Sequence, residues 1–370
     1  MAVKYLAGER LTGTAAERAA MTTSASAIPQ TSWKEIARVT LSSAGNTIDT
    51  GTGVSGDCTL NTMYATQKEN MMVLLYLHGN TAPYCNMTFN NSSGGTDYKV
   101  RVSHNGGTDS VPTTYDKIEF GVGGTVELDN LTVLNIVNKS THTKFLTGHT
   151  VEQNTINVGN PPERQEIFAS WVGSAQINRI TLTNTRGGHN FLAGSEMVVL
   201  GCDNNEADSG TNFWEELATI DQTENSRSVD TGAFTSSKKY LMFESRYKYT
   251  SGNDPYLQFN SDHSTHYDYR RSINGGSDTN SGGSGTGGVV DNANSGWEFQ
   301  DHVFVVNVLN SEKLVICDSV NNENVVGTGT APSRREFVGK WDQDELITSI
   351  QYYLGSTGNM TGSIRVWGSN

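Results

Sequence analysis

Short runs in which apolar and polar residues alternate recur along most of the chain. Arg179-Ile180-Thr181-Leu182-Thr183 places its apolar side chains on one face and its polar side chains on the other. This period of two is typical of a half-buried β-strand. Met71–Leu77 is almost continuously apolar, as expected for a central strand that is buried on both faces. Leu241–Tyr249 begins in the same way but then carries charged residues at alternate positions. We expect that strand to have an exposed face, or one covered by a partner.

These patterns predict about eight strands in each half of the chain, separated by turns rich in Gly, Asn and Ser. In the first half the predicted strands are Lys34–Ser42, Met71–His78, Tyr98–Ser103, Thr125–Val137, Lys144–Val151, Glu166–Trp171, Ile177–Thr183 and Ser195–Gly201. In the second half they are Glu216–Asp221, Tyr240–Tyr249, Tyr256–Asn260, Tyr267–Ser272, Glu298–Val308, Lys313–Ser319, Arg335–Trp341, Ile347–Leu354 and Gly362–Gly368.

A ten-residue stretch occurs twice, which indicates an internal duplication. The four shared residues of this repeat motif are Pro162, Arg164, Glu166 and Trp171, matched 170 residues later by Pro332, Arg334, Glu336 and Trp341. The turn Asn105–Asp109 is likewise matched by Asn274–Asp278. Solenoid repeats run to about 20–50 residues, so a period this long indicates tandem domains.

The sequence therefore predicts an all-β protein with two tandem jelly-roll-like β-sandwich domains related by internal duplication, preceded by a short N-terminal arm. The predicted divisions are an anchoring arm at 1–30, a first sandwich at 31–201, a linker at 202–212 and a second sandwich at 213–370. Within the second sandwich, Gly275–Gly288 is rich in Gly and Ser, and we expect it to be a mobile loop.

Charge and composition narrow the classes of function. The net charge of −13 argues against a general nucleic-acid binder, which needs a basic surface. No segment reaches the roughly 18 apolar residues of a membrane span, and the first residues lack a signal-peptide pattern, so we expect synthesis in the cytoplasm. The four cysteines (Cys58, Cys85, Cys202 and Cys317) form no CxxC pair. Isolated buried thiols are therefore expected rather than a zinc site.

The repeat motif itself has a structural interpretation. Arg and Glu two residues apart on a strand share a face, so we expect an ion pair at each copy, with the Trp nearby. A lone Arg–Glu pair lacks a nucleophile or a second carboxylate, which favours a structural role over a catalytic one. The Asn-Gly-Gly turns predict tight hairpins, with a ligand-binding loop as the alternative.

Other patterns of catalytic or metal-binding chemistry are weak. The acidic segment Asp203–Asp208 only loosely resembles a calcium loop, because residue 207 is Ala where an oxygen ligand is needed. His263 and His266 are three residues apart without a third ligand. There is no GxSxG, P-loop or helix-opening GxGxxG motif. We expect no enzyme activity and no cofactor, although a glycosidase-type carboxylate pair or sugar stacking on surface Trp and Tyr stays open.

Residues 1–30 have no counterpart before the second half. Thr14 to Met21 fits a short helix capped by Thr14. The segment is either a disordered terminus or an arm that docks on a neighbouring subunit. The residues proposed for docking are Tyr5, Leu6, Leu11, Glu17 and Arg18.

The arm, with Tyr5-Leu6-Ala7-Gly8 and the run from Leu11 to Arg18, resembles the opening of uncharacterised structural proteins of tailed phages of marine bacteria, and the segment Gly194–Trp214 has a similar character. This resemblance covers most of the first half. It implies a virion structural protein and carries no catalytic residue across.

These observations predict a non-enzymatic virion surface protein, either a capsid decoration protein or a tail or fibre component. It would be assembled in the host cytoplasm, anchored through its arm to other virion proteins and organised as a homo-oligomer. One alternative is a double jelly-roll major capsid protein. Another is a carbohydrate-binding or receptor-binding β-sandwich protein that recognises a host surface glycan.

Overall fold

A computed structural model describes most of the chain from Trp33 onward. The described residues are 33–51, 68–79, 84–111, 116–121, 128–155, 158–202, 212–235, 237–249, 255–285, 287–289, 297–322, 331–355 and 358–370. The predicted arm, Cys58 and the acidic segment Asp203–Asp208 lie outside these residues.

Every regular element in the described residues is a β-strand, and every strand pair is antiparallel. The all-β prediction is therefore confirmed. The first half contains β1 (Lys34–Thr40), β2 (Thr47–Asp49), β3 (Asn70–Gly79), β4 (Cys85–Phe89), β5 (Tyr98–His104), β6 (Ile118–Phe120), β7 (Leu128–Val137), β8 (Lys144–Glu152), β9 (Glu163–Trp171), β10 (Ile180–Asn184) and β11 (Glu196–Cys202). The second half contains β12 (Glu215–Ser226), β13 (Ser228–Asp230), β14 (Tyr240–Tyr249), β15 (Pro255–Phe259), β16 (Tyr267–Ile273), β17 (Thr279–Gly285), β18 (Gly288–Val289), β19 (Glu298–Val306), β20 (Lys313–Asn321), β21 (Ser333–Trp341), β22 (Ile350–Leu354) and β23 (Met360–Ser369).

Each half has one large and one small sheet. In the first half the large sheet has the order β1-β11-β3-β7-β8-β9-β5 and the small sheet the order β2-β10-β4-β6. In the second half the orders are β12-β23-β14-β19-β20-β21-β16-β17 and β13-β22-β15-β18. If β17 is set aside and the strands are counted from the start of each half, the two halves have the same order in both sheets.

Each sheet pair encloses its own apolar core. In the first half, Val73 and Leu75 of the large sheet lie in one cluster with Met87 and Leu182 of the small sheet. In the second half, Phe243 and Val303 cluster in the same way with Leu257 and Tyr352. Both halves are thus β-sandwich-like, with the alternation along each strand directing one set of side chains inward.

A third apolar core joins the two large sheets face to face. From the first half it contains Met72, Leu74, Tyr76, Leu131, Val133, Val151, Val198 and Leu200. From the second half it contains Phe213, Trp214, Tyr240, Met242, Phe304, Val306, Leu314, Ile316, Val338 and Trp367. The molecule is therefore a stack of four sheets in the order small, large, large, small.

This third core explains the two contrasting strand patterns seen in the sequence. Met71–Leu77 is continuously apolar because its odd-numbered residues enter the first core and its even-numbered residues enter the third. On β14, Tyr240 and Met242 also enter the third core, but Glu244 and the alternate residues beyond it are exposed. The covered part of that strand is thus covered by the other half of the same chain.

The expectation of a mobile loop at Gly275–Gly288 was wrong. Thr279–Gly285 forms β17, which pairs with β16 at the edge of the large sheet. Gly282 lies directly against the first half, since a Cβ atom on it would stand 2.5 Å from the Gly159 carbonyl oxygen. Glycine is used here to allow close approach of two backbones, and composition alone does not distinguish this role from flexibility.

We expect Leu314→Ala to lower the free energy of unfolding by about 2–5 kcal/mol, because it opens a cavity in the third core. Leu309→Ala is the matched control, because the Leu309 side chain is exposed, and its effect should stay within about 0.5 kcal/mol. Urea unfolding of the purified chain measures both. Equal effects of the two substitutions would contradict a buried core between the halves.

Candidate functional site at the junction of the two halves

The repeat motif lies on β9 and β21 and divides between the two faces of each strand. Arg164 and Glu166 are on the face toward the junction of the two halves, and Arg334 and Glu336 take the same places on β21. Trp171 and Trp341 are an odd number of residues further along, so they point the other way into the cores of their own halves. The expected Arg–Glu pairs are present, but the expectation that each Trp would lie beside its pair was wrong.

Arg164 crosses the junction and binds carboxylates of both halves. It forms an ion pair with Glu166 on its own strand. Its Nη2 lies 2.7 Å from Asp278 Oδ1 and its Nε 3.3 Å from Asp278 Oδ2, in a two-point contact with the second half. Its Nη1 is also 3.8 Å from Glu336 Oε2. Planar guanidinium suits such a bidentate contact.

Charge and burial perturb the groups of this cluster. Burial on its own lowers the pKa of Arg164, but the hydrogen bonds and charges of Asp278 and Glu166 outweigh it, and the pKa is raised. Burial raises the pKa of Glu336, and the nearby charge of Glu166 adds to that effect. The arrangement stabilises a buried cation and offers a substrate no open path to it, because the Arg164 side chain is only 3% exposed.

The second copy of the motif has a different environment. Arg334 Nε lies 3.2 Å from Glu336 Oε1, but the Arg334 side chain is 60% exposed. The same local sequence therefore places a buried arginine at the junction in one half and an exposed arginine, paired with the buried Glu336, in the other. Pro162 also contributes at the junction, where its carbonyl oxygen accepts a hydrogen bond from Arg270 Nε at 2.9 Å. Pro332 directly precedes β21.

The Asn-Gly-Gly turns are tight hairpins, as predicted. Asn105 and Gly106 have φ values of 50° and 65°, and Asn274 and Gly275 have 53° and 71°. Two consecutive positive φ angles are the signature of a type I′ turn. The first turn touches the second half: a Cβ atom on Gly106 would stand 2.3 Å from Asp278 Oδ1. The first turn and the Asp278 side chain thus lie against each other at the junction.

Further polar contacts surround the third core. Glu196 on β11 accepts a hydrogen bond from Tyr240 Oη at 2.8 Å and lies 3.2 Å from Lys239 Nζ, both from the second half. Burial alone raises the pKa of Glu196, but Lys239 and Arg38 outweigh it, so the pKa is lowered. Gln153 Nε2 donates to Glu312 Oε2 at 2.7 Å. The junction therefore has an apolar centre with a paired polar border.

His149 and Asp318 form another ion pair between the halves, with Nδ1 and Oδ1 3.2 Å apart. Burial alone lowers the pKa of His149, but the hydrogen bond and charge of Asp318 outweigh it, and the pKa is raised. The pKa of Asp318 is lowered by the same contact, which outweighs the opposing effect of burial.

Sequence reasoning missed a pair of buried lysines beneath the repeated tryptophans. Lys144 Nζ donates to the carbonyl oxygens of His142 and Gly173 at 2.6 and 2.9 Å, and Lys313 Nζ donates to that of Gln343 at 2.7 Å. The ammonium groups lie 5.7 and 6.0 Å from the ring centroids of Trp171 and Trp341. Burial lowers the pKa of Lys144 and that of Lys313, the latter to about 8. The two lysines are 169 residues apart, so the repeat offset was the available signal.

The described residues also form a polar cleft, and they contain two buried thiols. A polar cleft of about 550 Å³ at the junction is lined by carboxylates, among them Asp129, Glu312 and Asp342. Within the part of the chain that the structure describes, no three His, Cys, Asp or Glu side chains are grouped so as to hold a metal ion. Cys85 and Cys317 are buried free thiols, as expected, and Cys202 is half-buried.

The sugar-stacking alternative depends on exposed aromatic rings. All six tryptophans lie in described residues, and each is buried or half-buried.

The two histidines three residues apart have separate partners. His263 packs on Tyr353, with ring centroids 4.7 Å apart, and His266 binds Asp262 at 2.8 Å. The described residues contain no helix that is long and apolar enough to cross a membrane.

Comparisons with known proteins leave the chain without an assigned family. No family model matches it. No curated protein matches it either. Among solved structures, an acyl-CoA hydrolase from Agrobacterium tumefaciens aligns at a TM-score of 0.14 and 8% identity over 73% of this chain and 98% of its own. OccK5 (OpdH) from Pseudomonas aeruginosa aligns at 0.11 and 9% identity, over 82% of this chain and 98% of its own. A FadL homologue from Pseudomonas aeruginosa aligns at 0.10 and 8% identity, over 83% and 92%. Similarities this low carry no argument about fold or function.

We expect Arg164→Met to lower the free energy of unfolding by about 3–5 kcal/mol, because it leaves buried carboxylates without their cation. Arg334→Met changes the matching residue of the repeat and should cost no more than about 1 kcal/mol, since the Arg334 side chain is exposed. Urea unfolding at neutral pH compares the two variants. A loss at Arg334 as large as that at Arg164 would contradict the cross-junction role of Arg164.

We expect the pair of His149 and Asp318 to make the junction less stable as pH rises. The folded-state pKa of His149 is raised, so its stabilising contribution is complete below the unfolded value of about 6.5 and is lost as pH rises through the folded value. His149→Gln should therefore destabilise the chain at pH 5.5 more than at pH 8.5 (test conditions chosen on either side of about 6.5). Thermal unfolding of the wild type and the variant across this range measures the loss of stability. A loss that does not vary with pH would contradict the role of the His149–Asp318 pair.

Proposed function

We propose that this protein is a non-enzymatic structural protein of a virus particle, located on the particle surface and acting as a homo-oligomer. The observation that carries the proposal is the use of the repeat motif. Its charged pair clamps two β-sandwich-like halves into one block, with Arg164 bound to carboxylates of both. Together with the resemblance of the first half to structural proteins of tailed phages, this supports a capsid decoration protein or a tail or fibre component.

We further propose that both halves are jelly rolls that arose by internal duplication. In the first half the chain pairs β1 with β11, β2 with β10, β3 with β7 and β4 with β6. These nested pairs are those of a long hairpin rolled into two sheets, which is how a jelly roll is built. The second half repeats the same nesting with β12 and β23 as its outermost pair. The strands β8, β9 and β5 then extend the large sheet of the first roll.

Matching hydrogen bonds support the duplication. The Asn90 side chain accepts from two successive backbone amides, those of Asn178 and Arg179, and Asn260 accepts in the same way from Thr348 and Ser349. Both asparagines have a positive φ. Other matched bonds join Tyr98 Oη to the amide of Phe89 and Tyr267 Oη to that of Phe259, and Asn138 Oδ1 to the amide of Ile177 and Asn307 Oδ1 to that of Ile347.

The proposed anchor is the arm at residues 1–30, with Tyr5, Leu6, Leu11, Glu17 and Arg18 as docking residues on other virion proteins. The arm leads into Trp33, whose carbonyl oxygen accepts from the Phe213 amide at 3.0 Å. Trp33 also packs against the third core. The attachment point of the arm, Trp33, therefore contacts both halves. A pull on the arm would act on both halves together.

A double jelly-roll capsid subunit is the second candidate. It is favoured by the stacking of the two rolls through their large sheets into one body with a shared apolar core. A shell subunit must be present in enough copies to form the closed shell itself, which a tail or fibre component need not be. Copy number per purified particle, from quantitative gel analysis, therefore separates the two candidates.

We expect deletion of residues 1–30 to leave a folded chain that no longer joins particles. The reason is that each half has its own core of buried side chains, formed by residues between 36 and 199 in the first half and between 229 and 366 in the second. Circular dichroism and thermal unfolding check the fold, and co-purification with particles assembled in the presence of the truncated chain checks incorporation. Full incorporation of the truncated chain would contradict the anchoring role.

A further inference from the structure

The large sheet of the first half has an apolar surface that is open in the described structure. On β7, β8 and β9 it presents Val137, Phe145 and Phe168, of which Phe145 is 62% exposed. Val137 stands opposite Phe145 in the strand ladder, and Phe168 stands opposite Thr147. Phe145 and Phe168, together with Val111, line a groove of about 600 Å³. We call this surface the open face. An apolar patch of this kind on a sheet marks an interaction site.

The corresponding surface of the second half is fully covered. The correspondence follows from the ladders, because Lys144 stands opposite Trp171 and Lys313 stands opposite Trp341. Counting from these pairs matches each residue of the open face with one residue of the second half. In order, Val137, Phe145, Thr147 and Phe168 of the first half correspond to Val306, Leu314, Ile316 and Val338 of the second. All four residues of the second half are buried in the third core.

The surface that covers them belongs to the first half and includes Leu131, Val133 and Val151. Its counterpart in the second half includes Gln300, His302 and Val320, since Leu131 stands opposite Val151 and Gln300 opposite Val320. Glu244 and Arg246, both exposed, take the places that Leu74 and Tyr76 have in the first half. We call this counterpart the covering face. Gln300 and Val320 are exposed and His302 is half-exposed. The two halves thus meet mainly through non-equivalent surfaces. Met72 and Met242 correspond to each other and both lie in the third core, so the open face and the covering face are the parts that stay outside it.

We propose that copies of this chain assemble head to tail, with the covering face of one copy packed on the open face of the next. This proposal deepens the homo-oligomeric role proposed above and rests on it. A contact between non-equivalent surfaces does not close on itself as a two-fold dimer does, and it generates a ring or a filament. The contact between chains then resembles part of the junction inside the chain, because Met72 and Met242 are already buried in the third core.

Polar residues of the two unused surfaces match those of the internal junction. Inside the chain, Arg164 of the first half binds Asp278 of the second. By the repeat, Arg334 corresponds to Arg164 and Asp109 corresponds to Asp278. Both lie at the surface, where the Arg334 side chain is 60% exposed and the Asp109 side chain is 46% exposed. Between two copies, Arg334 of the covering partner would reach Asp109 of the open face. Arg101 corresponds to Arg270, which donates to the Pro162 carbonyl oxygen inside the chain, and its partner between copies would be the carbonyl of Pro332.

The covering face also indicates the strength of the contact. Gln300 and His302 stand where the internal junction has Leu131 and Val133. Fewer apolar side chains make this contact weaker than the internal one, so association should be reversible and depend on protein concentration. The groove on the open face remains the apolar centre around which a polar border closes.

Two complementary variants of the full chain test the proposal by sedimentation velocity. Phe145→Glu places a charge on the open face, and Val320→Glu places one on the covering face. The wild type should self-associate with increasing concentration, and each variant alone should associate about tenfold more weakly or worse, because a buried charge opposes contact. An equimolar mixture of the variants should form heterodimers, because one intact face of each kind remains. Leu309→Glu, an exposed residue outside both faces, should associate like the wild type.

Several outcomes would overturn the proposal: a wild type that stays monomeric, a variant mixture without heterodimers, or a Leu309→Glu chain that associates as poorly as the others. If Val320→Glu alone leaves association intact, the open face binds another open face, and the head-to-tail contact is wrong. As a second arm, Arg334→Asp and Asp109→Arg should each weaken association, and the two together in one chain should restore it. All of these measurements use purified chain, so their failure is distinct from a failure to join particles.

Discussion

The structure depends on the burial of the second face of each large sheet. Each of these sheets already covers the small sheet of its own half with one face, and the residues of the other face would be exposed in an isolated half. Packing the two faces together removes side chains such as Leu74, Trp214 and Leu314 from water. Hydrophobic burial of this kind is proportional to area and supplies the main favourable term in association. The polar border then fixes how the sheets are oriented.

The repeat motif shows how one sequence can have two physical roles. In the first half, Arg164 is removed from water and is matched by Glu166, Asp278 and Glu336. In the second half, Arg334 stays in solvent with Glu336 as its partner. A buried cation is tolerated only where several acceptors compensate its lost hydration, whereas an arginine that stays in water needs no such support. The difference therefore originates in the packing of the halves and not in the motif.

Alternation was sufficient to predict the all-β class and most of the longer strands, because both depend on local patterns. The short strands β2, β4, β6, β13 and β18 were missed, since a few residues carry too little pattern. Met71–Leu77 even carried the information that a second apolar face would be covered. The sequence could not identify what covers that face. A local pattern is the same whether the face packs against a neighbouring chain or against the other half of its own chain. The same limit applies to Arg164, whose contact with Asp278 spans 114 residues. The strand β17 was missed because glycine-rich composition indicates flexibility as readily as close backbone approach, which is its role at Gly282.

The contacts around Trp33 determine where force applied to the chain ends would act. Trp33 is bonded to Phe213, and Arg38 on the adjoining strand binds the backbone oxygen of Asn370. The entry to the first half, the entry to the second half and Asn370 thus come together at a single corner of the block. Any tether joined before Trp33 would emerge beside one joined after Asn370. Force applied through either tether would act on the junction between the halves. The surfaces away from that corner would stay accessible to other molecules.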